Sequence, residues 1–153
     1  FAYSFLNMEG NPAYYTSSTY YGKAGDVFTL GLSFQSQAEA YGPVGAADDF
    51  TAIAFDVLSE TVLDGGGVMT FEGEYKMFDC DCSGGDFTLF DGDSYFGTAA
   101  YMFPQKIGMG HVQPYVRYTS NEPSEGESSD LTELGVNYII DGHNLRLNAW
   151  CEA

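Results

Sequence analysis

The stretch that decides the fold runs from Val27 to Gln35 and reads VFTLGLSFQ. Its apolar and polar side chains alternate with a period of two residues. One face carries Phe28, Leu30, Leu32 and Phe34, and the other carries Thr29, Gly31, Ser33 and Gln35. Successive side chains of a β-strand point to opposite faces. The stretch therefore predicts a strand with one apolar and one polar face.

The same alternation recurs along the whole chain, in segments of about ten residues separated by turn-rich stretches. The further segments are 50–58, 68–77, 94–103, 112–119, 131–140 and the stretch that starts at Leu145. One more strand is expected within residues 1–21, which makes about eight. Pro114 lacks a backbone N–H, so we expect a bulge or a frayed pair there.

The connectors between these segments are of two kinds that alternate along the chain. The short, glycine-rich ones are 22–26, 63–67, 104–110 and 141–144, and the longer ones are 37–48, 79–93 and 120–130. The longer connectors carry acids and no Lys or Arg: Glu39, Asp48, Asp79, Asp81, Asp86, Asp91, Asp93, Glu122, Glu125, Glu127 and Asp130. Short turns on one rim and longer loops on the other are typical of transmembrane β-barrels.

Composition narrows the class of protein further. The 153 residues include 12 Tyr, 12 Phe and 19 Gly, and the formal net charge is −17. Such acidity excludes nucleic-acid binding, which needs a basic surface, and the aromatic content argues against disorder. No run approaches the roughly 18 to 20 apolar residues of a transmembrane helix. We expect one all-β domain over 1–153, an antiparallel transmembrane β-barrel or a fragment of one, with a soluble all-β sandwich as the alternative.

Four stretches resemble bacterial outer-membrane porins of the phosphate-selective porin O and P family. They are PAYYTSSTYYGKAGDVFTLGLSFQSQ at 12–37, YFGTAAYMFP at 95–104, QPYVRYTSNEP at 113–123 and ELGVNYIIDGHNLRLNAW at 133–150. The resemblance implies a larger barrel, often trimeric, of which this chain is a C-terminal portion. Such barrels commonly finish on an aromatic residue, whereas this sequence ends Trp150-Cys151-Glu152-Ala153, so we expect a truncated chain. An independent eight-stranded barrel, with an interior filled by side chains, is the alternative.

The polar faces of the expected strands supply the candidate pore-lining residues. They are Asp56, Glu72, Glu74, Lys76, Tyr115, Arg117, Glu133 and Arg146. Charges that line a lumen set ion selectivity. The resemblance implies basic residues that attract anions, yet only Lys76, Arg117 and Arg146 could serve here. The alternative is that these side chains are solvated or paired across strands.

Other residues carry weaker chemical signals. The run Asp79-Cys80-Asp81-Cys82, followed by Asp86, matches no Ca²⁺ loop, and Cys-x-Cys favours a disulfide at least as much as zinc. Cys151 falls on the apolar face, and His111 and His143 fall at the short-turn rim. The sequence has no GxSxG, HExxH or P-loop motif, so we expect no enzyme, cofactor or metal.

These features predict a porin of the bacterial outer membrane that passes small hydrophilic solutes or ions by diffusion. The expected partners are outer-membrane lipid, the solutes, and a homotrimer or a partner protein at the outer rim, with no nucleic acid. The alternative function is a non-conducting barrel that acts as a scaffold or surface-interaction protein through its acidic extracellular loops. A soluble sandwich that binds a ligand or a subunit is the third possibility.

Overall fold

A computed structural model describes residues 1–8, 19–41, 47–80 and 91–153. These ranges contain nine β-strands and no helix, and therefore no helix that could span a membrane. The strands are β1 (Ala2–Ser4), β2 (Val27–Tyr41), β3 (Asp48–Val62), β4 (Val68–Cys80), β5 (Gly92–Met102), β6 (Lys106–Ile107), β7 (Gly110–Pro123), β8 (Ser129–Asp141) and β9 (Leu145–Glu152).

All nine strands belong to one antiparallel sheet whose order follows the sequence, β1-β2-β3-β4-β5-β7-β8-β9. The two-residue β6 lies off this path and pairs only with the start of β7. It falls within the predicted connector 104–110, which explains why the sequence predicted about eight strands. The all-β antiparallel prediction is confirmed. Within the described residues β1 and β9 do not pair, so the sheet is not closed into a barrel.

The strands extend further than the alternation of apolar residues predicted. The predicted connector 37–48 is too long, because β2 continues to Tyr41, and β7 likewise continues to Pro123. The ladder there is made by polar pairs such as Asn121 with Ser129, and Ser94 Oγ donates to Asn121 Oδ1 over 2.7 Å. Backbone pairing needs no apolar side chain. Parts of the 12–37 stretch, and Asp81, Cys82 and Asp86, lie outside the described residues.

Two short turns occur where predicted, at 63–67 and at 141–144, where Asn144 N donates to Asp141 O over 2.9 Å. Pro114 stays in continuous register with β8, while the β5 ladder ends one residue later at Tyr115. The predicted frayed pair is therefore on the β5 side. The predicted short connector 22–26 contains turn hydrogen bonds, since Lys23 N donates to Tyr20 O and Gly25 N to Gly22 O, each over 3.1 Å, and β2 begins directly after it at Val27.

The two faces of the sheet have opposite character. The outer face carries exposed large apolar side chains, with Phe34 69% exposed and Leu147 60% exposed. Its exposed members are Leu32, Phe34, Phe55, Met69, Phe71, Tyr75, Val116, Tyr118, Leu134, Val136, Leu145 and Leu147. The buried side chains of the inner face are of both kinds: Thr29, Glu60, Thr70 and Gln113 are polar, whereas Val27, Leu58, Val68, Met102 and Ile139 are apolar. The outer face thus carries the exposed apolar side chains, while the inner face combines polar, charged and apolar groups.

The sheet is strongly curved, with its inner face concave. Tyr21 N–H donates to Glu60 on β3, while the Tyr21 hydroxyl accepts from Arg146 on β9. In a flat sheet these two strands would lie five interstrand spacings apart, about 24 Å. The Tyr21 ring also belongs to one buried cluster with Val68 on β4, Met102 on β5 and Ile139 on β8. Because one residue reaches these strands as well as β3 and β9, the strands curl around Tyr21.

Candidate functional site

All eight predicted pore-lining residues lie on the inner face, in four adjacent cross-strand rows and one separate position of the sheet. Glu72, Arg117 and Glu133 share one cross-strand row, since Glu72 pairs with Thr98, Thr98 with Arg117, and Arg117 with Glu133. Asp56 pairs with Glu74 in the next row. Lys76, Tyr115 and Arg146 occupy other inner-face positions. The predicted side-chain phase is thus confirmed for every strand that carries one of them.

Five of the eight surround one cavity of about 460 Å³. These five are Glu72, Tyr115, Arg117, Glu133 and Arg146. The cavity is further lined by Thr19, Tyr21, Thr70, Phe96, Thr98, Ala100, Gln113, Asn137, Asn148 and Trp150. The structure therefore brings together side chains of β4, β5, β7, β8 and β9, and leaves Asp56, Glu74 and Lys76 nearer the long-connector rim.

Arg117 is held over an aromatic ring. Its Nε donates to Thr98 Oγ1 over 2.9 Å, and its guanidinium carbon lies 4.6 Å from the centre of the Phe96 ring. A guanidinium placed over an aromatic face is attracted by the ring's negative surface. These two contacts fix the side chain in the wall of the cavity. In the described part of the chain, no carboxylate lies within 4 Å of its guanidinium nitrogens.

Glu60 anchors the segment that precedes β2. This fully buried carboxylate accepts hydrogen bonds from Tyr20 N (3.0 Å), Tyr21 N (3.1 Å) and Gly22 N (3.3 Å). It also accepts from the hydroxyls of Thr19 and Thr70. Hydrogen bonds to a charged acceptor are stronger than neutral ones. The stretch 19–22 is therefore bound to the inner face of β3 and β4.

Tyr21 fills the end of the cavity next to the short turns. It is buried against Val68, Met102 and Ile139, which form the apolar core cluster of the described residues. Its hydroxyl accepts from Arg146 Nη1 over 3.0 Å. The segment thus narrows the inner space at this rim by placing an aromatic ring across it.

The three remaining candidates form a separate charged group. Lys76 Nζ lies 2.8 Å from Glu74 Oε2, and both side chains are partly exposed. Asp56 lies across from Gly31, where an added Cβ would collide with its carboxylate. The glycine therefore makes room for the acid. This supports the alternative of pairing within the sheet for Lys76 and Glu74.

A row of side-chain amides crosses three neighbouring strands. Gln113, Asn137 and Asn148 stand opposite one another in register. Asn137 Nδ2 donates to Gln113 Oε1 over 3.1 Å, and Asn148 Nδ2 donates to Asn137 Oδ1 over 2.7 Å. Asn148 Nδ2 also lies 3.3 Å from the Tyr115 hydroxyl. The hydrogen bonds orient the row as one polar strip.

Sequence reasoning missed Glu60, the amide row and Trp150. Glu60 has the same phase as Asp56, but the predicted strand 50–58 ended before it. Gln113 and Asn137 were placed on the polar faces but were not included, since the candidate set was almost entirely charged. Selecting every polar residue in phase, rather than every charged one, would have found them.

The outer face carries tyrosines near both rims. Near the long connectors, Tyr75 OH donates to Asp93 Oδ1 over 2.9 Å, and Tyr95 OH lies 3.3 Å from Glu122 Oε1. Near the short turns, Tyr138 OH donates to the carbonyl of Ile107 over 2.5 Å. The hydroxyls of these outer-face tyrosines are thus bonded to polar groups.

The structure describes two of the three cysteines and both histidines. Cys80 is disulfide-bonded, and Cys151 is a free, exposed thiol on the outer face. His111 Nδ1 lies 3.1 Å from Phe103 O, whereas the His143 ring packs 5.2 Å from the Tyr21 ring. In the described ranges, no three His, Cys, Asp or Glu side chains are grouped so that they could hold a metal ion.

Comparisons of this chain with protein-family models, with curated proteins and with solved structures found no match. Functional conclusions therefore rest on the geometry. A curved sheet with a polar, charged inner face can admit or bind hydrophilic solutes.

Proposed function

We propose that this chain forms part of the wall of a porin-type β-barrel in a bacterial outer membrane and passes small hydrophilic solutes or ions by diffusion. The observation that carries the proposal is the row of exposed apolar side chains on the outer face, opposite a face that carries charged side chains. Exposed apolar patches of this extent mark contact with another apolar phase. Lipid is the phase that contacts the outside of a barrel and leaves its inside polar.

A soluble sandwich would need a second layer over the outer face. In the described part of the chain, strands contact only their neighbours in the ladder. No described strand therefore packs on Phe34, Phe71 or Leu134. This favours lipid over a protein layer as the occupant of that face.

The dimensions suit a bilayer. The six long strands before β9 have 11 to 15 residues, and a transmembrane strand needs about 9 to 11. On β4 the outer apolar side chains run from Met69 to Met77, about 27 Å along the strand, or roughly 20 Å of membrane height at a strand tilt of about 40°. An outward apolar band of a membrane barrel is about 25 Å tall and is flanked by aromatic residues. Tyr138, next to the short turns, has the position expected of such a flanking residue, whereas Tyr95 pairs with Tyr75 inside the band.

The proposal requires that the two edge strands of the sheet, β1 and β9, pair with further strands or with each other. Every backbone N–H and C=O must be hydrogen-bonded inside a membrane, and β9 has one partner, β8, among the described strands. The edge strands would pair with each other or with strands outside the described residues. Pairing with further strands corresponds to the larger porin of the phosphate-selective O and P type that the sequence resembles.

The first test places a charge on either face of the same strand. Leu32 is half exposed on the outer face of β2, and its neighbour Ser33 points inward. Leu32→Arg should destabilise the bilayer-folded protein by about 2 to 4 kcal/mol if that position is near the membrane midplane. Ser33→Arg, the matched control, should change it little. Urea titration of folding into lipid vesicles measures both, and equal effects would contradict the lipid assignment.

The second test measures transport itself. The protein, folded in planar bilayers, should give stepwise single-channel conductance. Among the predicted pore-lining residues the four acids Asp56, Glu72, Glu74 and Glu133 outnumber the three bases, so the reversal potential in a salt gradient should show cation preference. A folded, inserted protein without conductance would contradict the porin proposal.

One observation favours a second candidate, a non-conducting barrel that serves as a scaffold or surface-interaction protein. Tyr21 and its buried neighbours Val68, Met102 and Ile139 occupy the inner space at the short-turn rim. If this obstruction closes the lumen, the wild-type protein would not conduct. Tyr21→Ala would then produce conductance, which distinguishes a blocked pore from a barrel with a filled interior.

A further inference from the structure

The inner cavity has the size of a small-molecule site. Its volume of about 460 Å³ lies within the range of about 300 to 1,000 Å³ that is common for small-ligand pockets. Such pockets fix their ligand by a few placed polar groups beside apolar or aromatic surface. The chemistry of the wall therefore indicates which class of solute fits.

The amide row offers donors and acceptors side by side. Each carboxamide has two N–H donors and an oxygen with two lone pairs. The bonds among Gln113, Asn137 and Asn148 use one oxygen acceptor site on each of the first two and leave the Asn148 oxygen unused. A hydroxyl group both donates and accepts. A strip that alternates donors and acceptors suits several neighbouring hydroxyls better than a group that only accepts or only donates.

An aromatic surface adjoins this strip. Tyr115, Gly135 and Trp150 stand in one cross-strand row. A Cβ on Gly135 would collide with the Tyr115 ring, so the glycine allows the ring to lie across β8 toward Trp150. The indole N–H of Trp150 donates to Glu152 Oε1 over 2.9 Å, which steadies the ring. The negative face of such rings attracts weakly positive C–H groups, and pyranose rings present such a face.

The charges in the cavity cancel. Two acids, Glu72 and Glu133, face two bases, Arg117 and Arg146, in its wall. Of the described carboxylates, none lies within 4 Å of either arginine. The acids would repel a free anion, and the bases would repel a free cation. Neutral hydroxyls can instead accept hydrogen bonds from the arginines and donate one to Glu133.

We propose that this cavity binds a neutral, polyhydroxylated solute of mono- to disaccharide size. Tyr115 and Trp150 pack against its C–H face, while the amide row, Arg117, Arg146 and Glu133 bind its hydroxyls. The proposal deepens the proposed function by naming the solute class, but binding itself needs only the folded sheet.

The experiment uses the full chain folded in detergent micelles. Trp150 is the sole tryptophan of the chain, so its fluorescence reports directly on the cavity. The probes are maltose and sucrose, with sodium phosphate as the anion and lysine as the organic cation, at constant ionic strength. We expect a saturable change in emission with a disaccharide and none with phosphate or lysine. Saturation with phosphate or lysine alone, or no saturation with any probe, overturns the proposal.

A pair of variants links the signal to the amide row. Asn148 is exposed on β9, so Asn148→Ala should leave the fold intact and weaken disaccharide binding about tenfold. Asn121→Ala is the matched control, an inner-face amide on β7 that is outside the cavity lining, and should bind as wild type does. Unchanged affinity in Asn148→Ala overturns the proposal.

The outcomes separate this site from the proposed pore. Disaccharide binding by a protein that does not conduct supports the site and contradicts the porin function. Conductance without disaccharide binding supports the porin function and overturns the site.

Discussion

Replacing Glu60 by alanine should release the segment that lies across the inner face. The carboxylate is fully buried, and it accepts five hydrogen bonds from residues 19–22 and Thr70. Three of the donors are the consecutive backbone amides of Tyr20, Tyr21 and Gly22. The effect should therefore concentrate on this segment rather than on the sheet.

The magnitude follows from the contacts. Each hydrogen bond to a charged group contributes about 1.5 kcal/mol at the lower limit, or roughly 7.5 kcal/mol for five. Removing the carboxylate also removes the cost of burying it, which is several kcal/mol. The net loss should be about 3 to 5 kcal/mol. Glu60→Gln can keep the oxygen that receives four of the bonds while losing its charge, so its loss should be about half as large.

Hydrogen exchange of the amides of Tyr20, Tyr21 and Gly22 measures this loss. In Glu60→Ala their protection should fall by more than roughly 100-fold, since 1.4 kcal/mol corresponds to a factor of ten. Glu125→Ala, at an exposed position between β7 and β8, should leave it unchanged. Undiminished protection in Glu60→Ala would refute the assignment of Glu60 as the anchor.

A glycine substitution and a double-mutant cycle test the packing and the charges of the inner face. Gly135→Ala should destabilise the protein by about 1 to 3 kcal/mol, because the new Cβ displaces the Tyr115 ring. The control is Gly97→Ala, where nothing lies within 4 Å of the added atom, and it should change the unfolding midpoint little. A double-mutant cycle on Lys76 and Glu74 should give a coupling below about 1 kcal/mol, since water screens this partly exposed pair, and a larger coupling would show that the pair is shielded from water.

Much of the fold could be predicted from the alternation of side chains. A period of two directly assigns residues to faces, and the structure confirms that assignment for Leu32, Ser33 and Arg117. The ends of strands were less predictable, since polar pairs such as Ser120 with Asp130 continue the ladder without any change in hydrophobicity. The connector 37–48 was overestimated for this reason.

The candidate site was predictable residue by residue but not as a cavity. Phase alone placed Glu72, Glu133 and Arg146 on the inner face. That they surround one space, whereas Lys76 and Glu74 pair outside it, depends on register and on the curvature of the sheet.

The sequence by itself determined which side of each strand is apolar and which is polar, because side-chain direction in a strand is a local property of the backbone. Only the tertiary structure decided that Tyr21 meets Arg146, 125 positions away, and that Glu60 binds the segment before β2. These contacts arise from how far the sheet curls and in which register its strands pair. Both are collective results of all the ladders, and no local stretch of sequence encodes them.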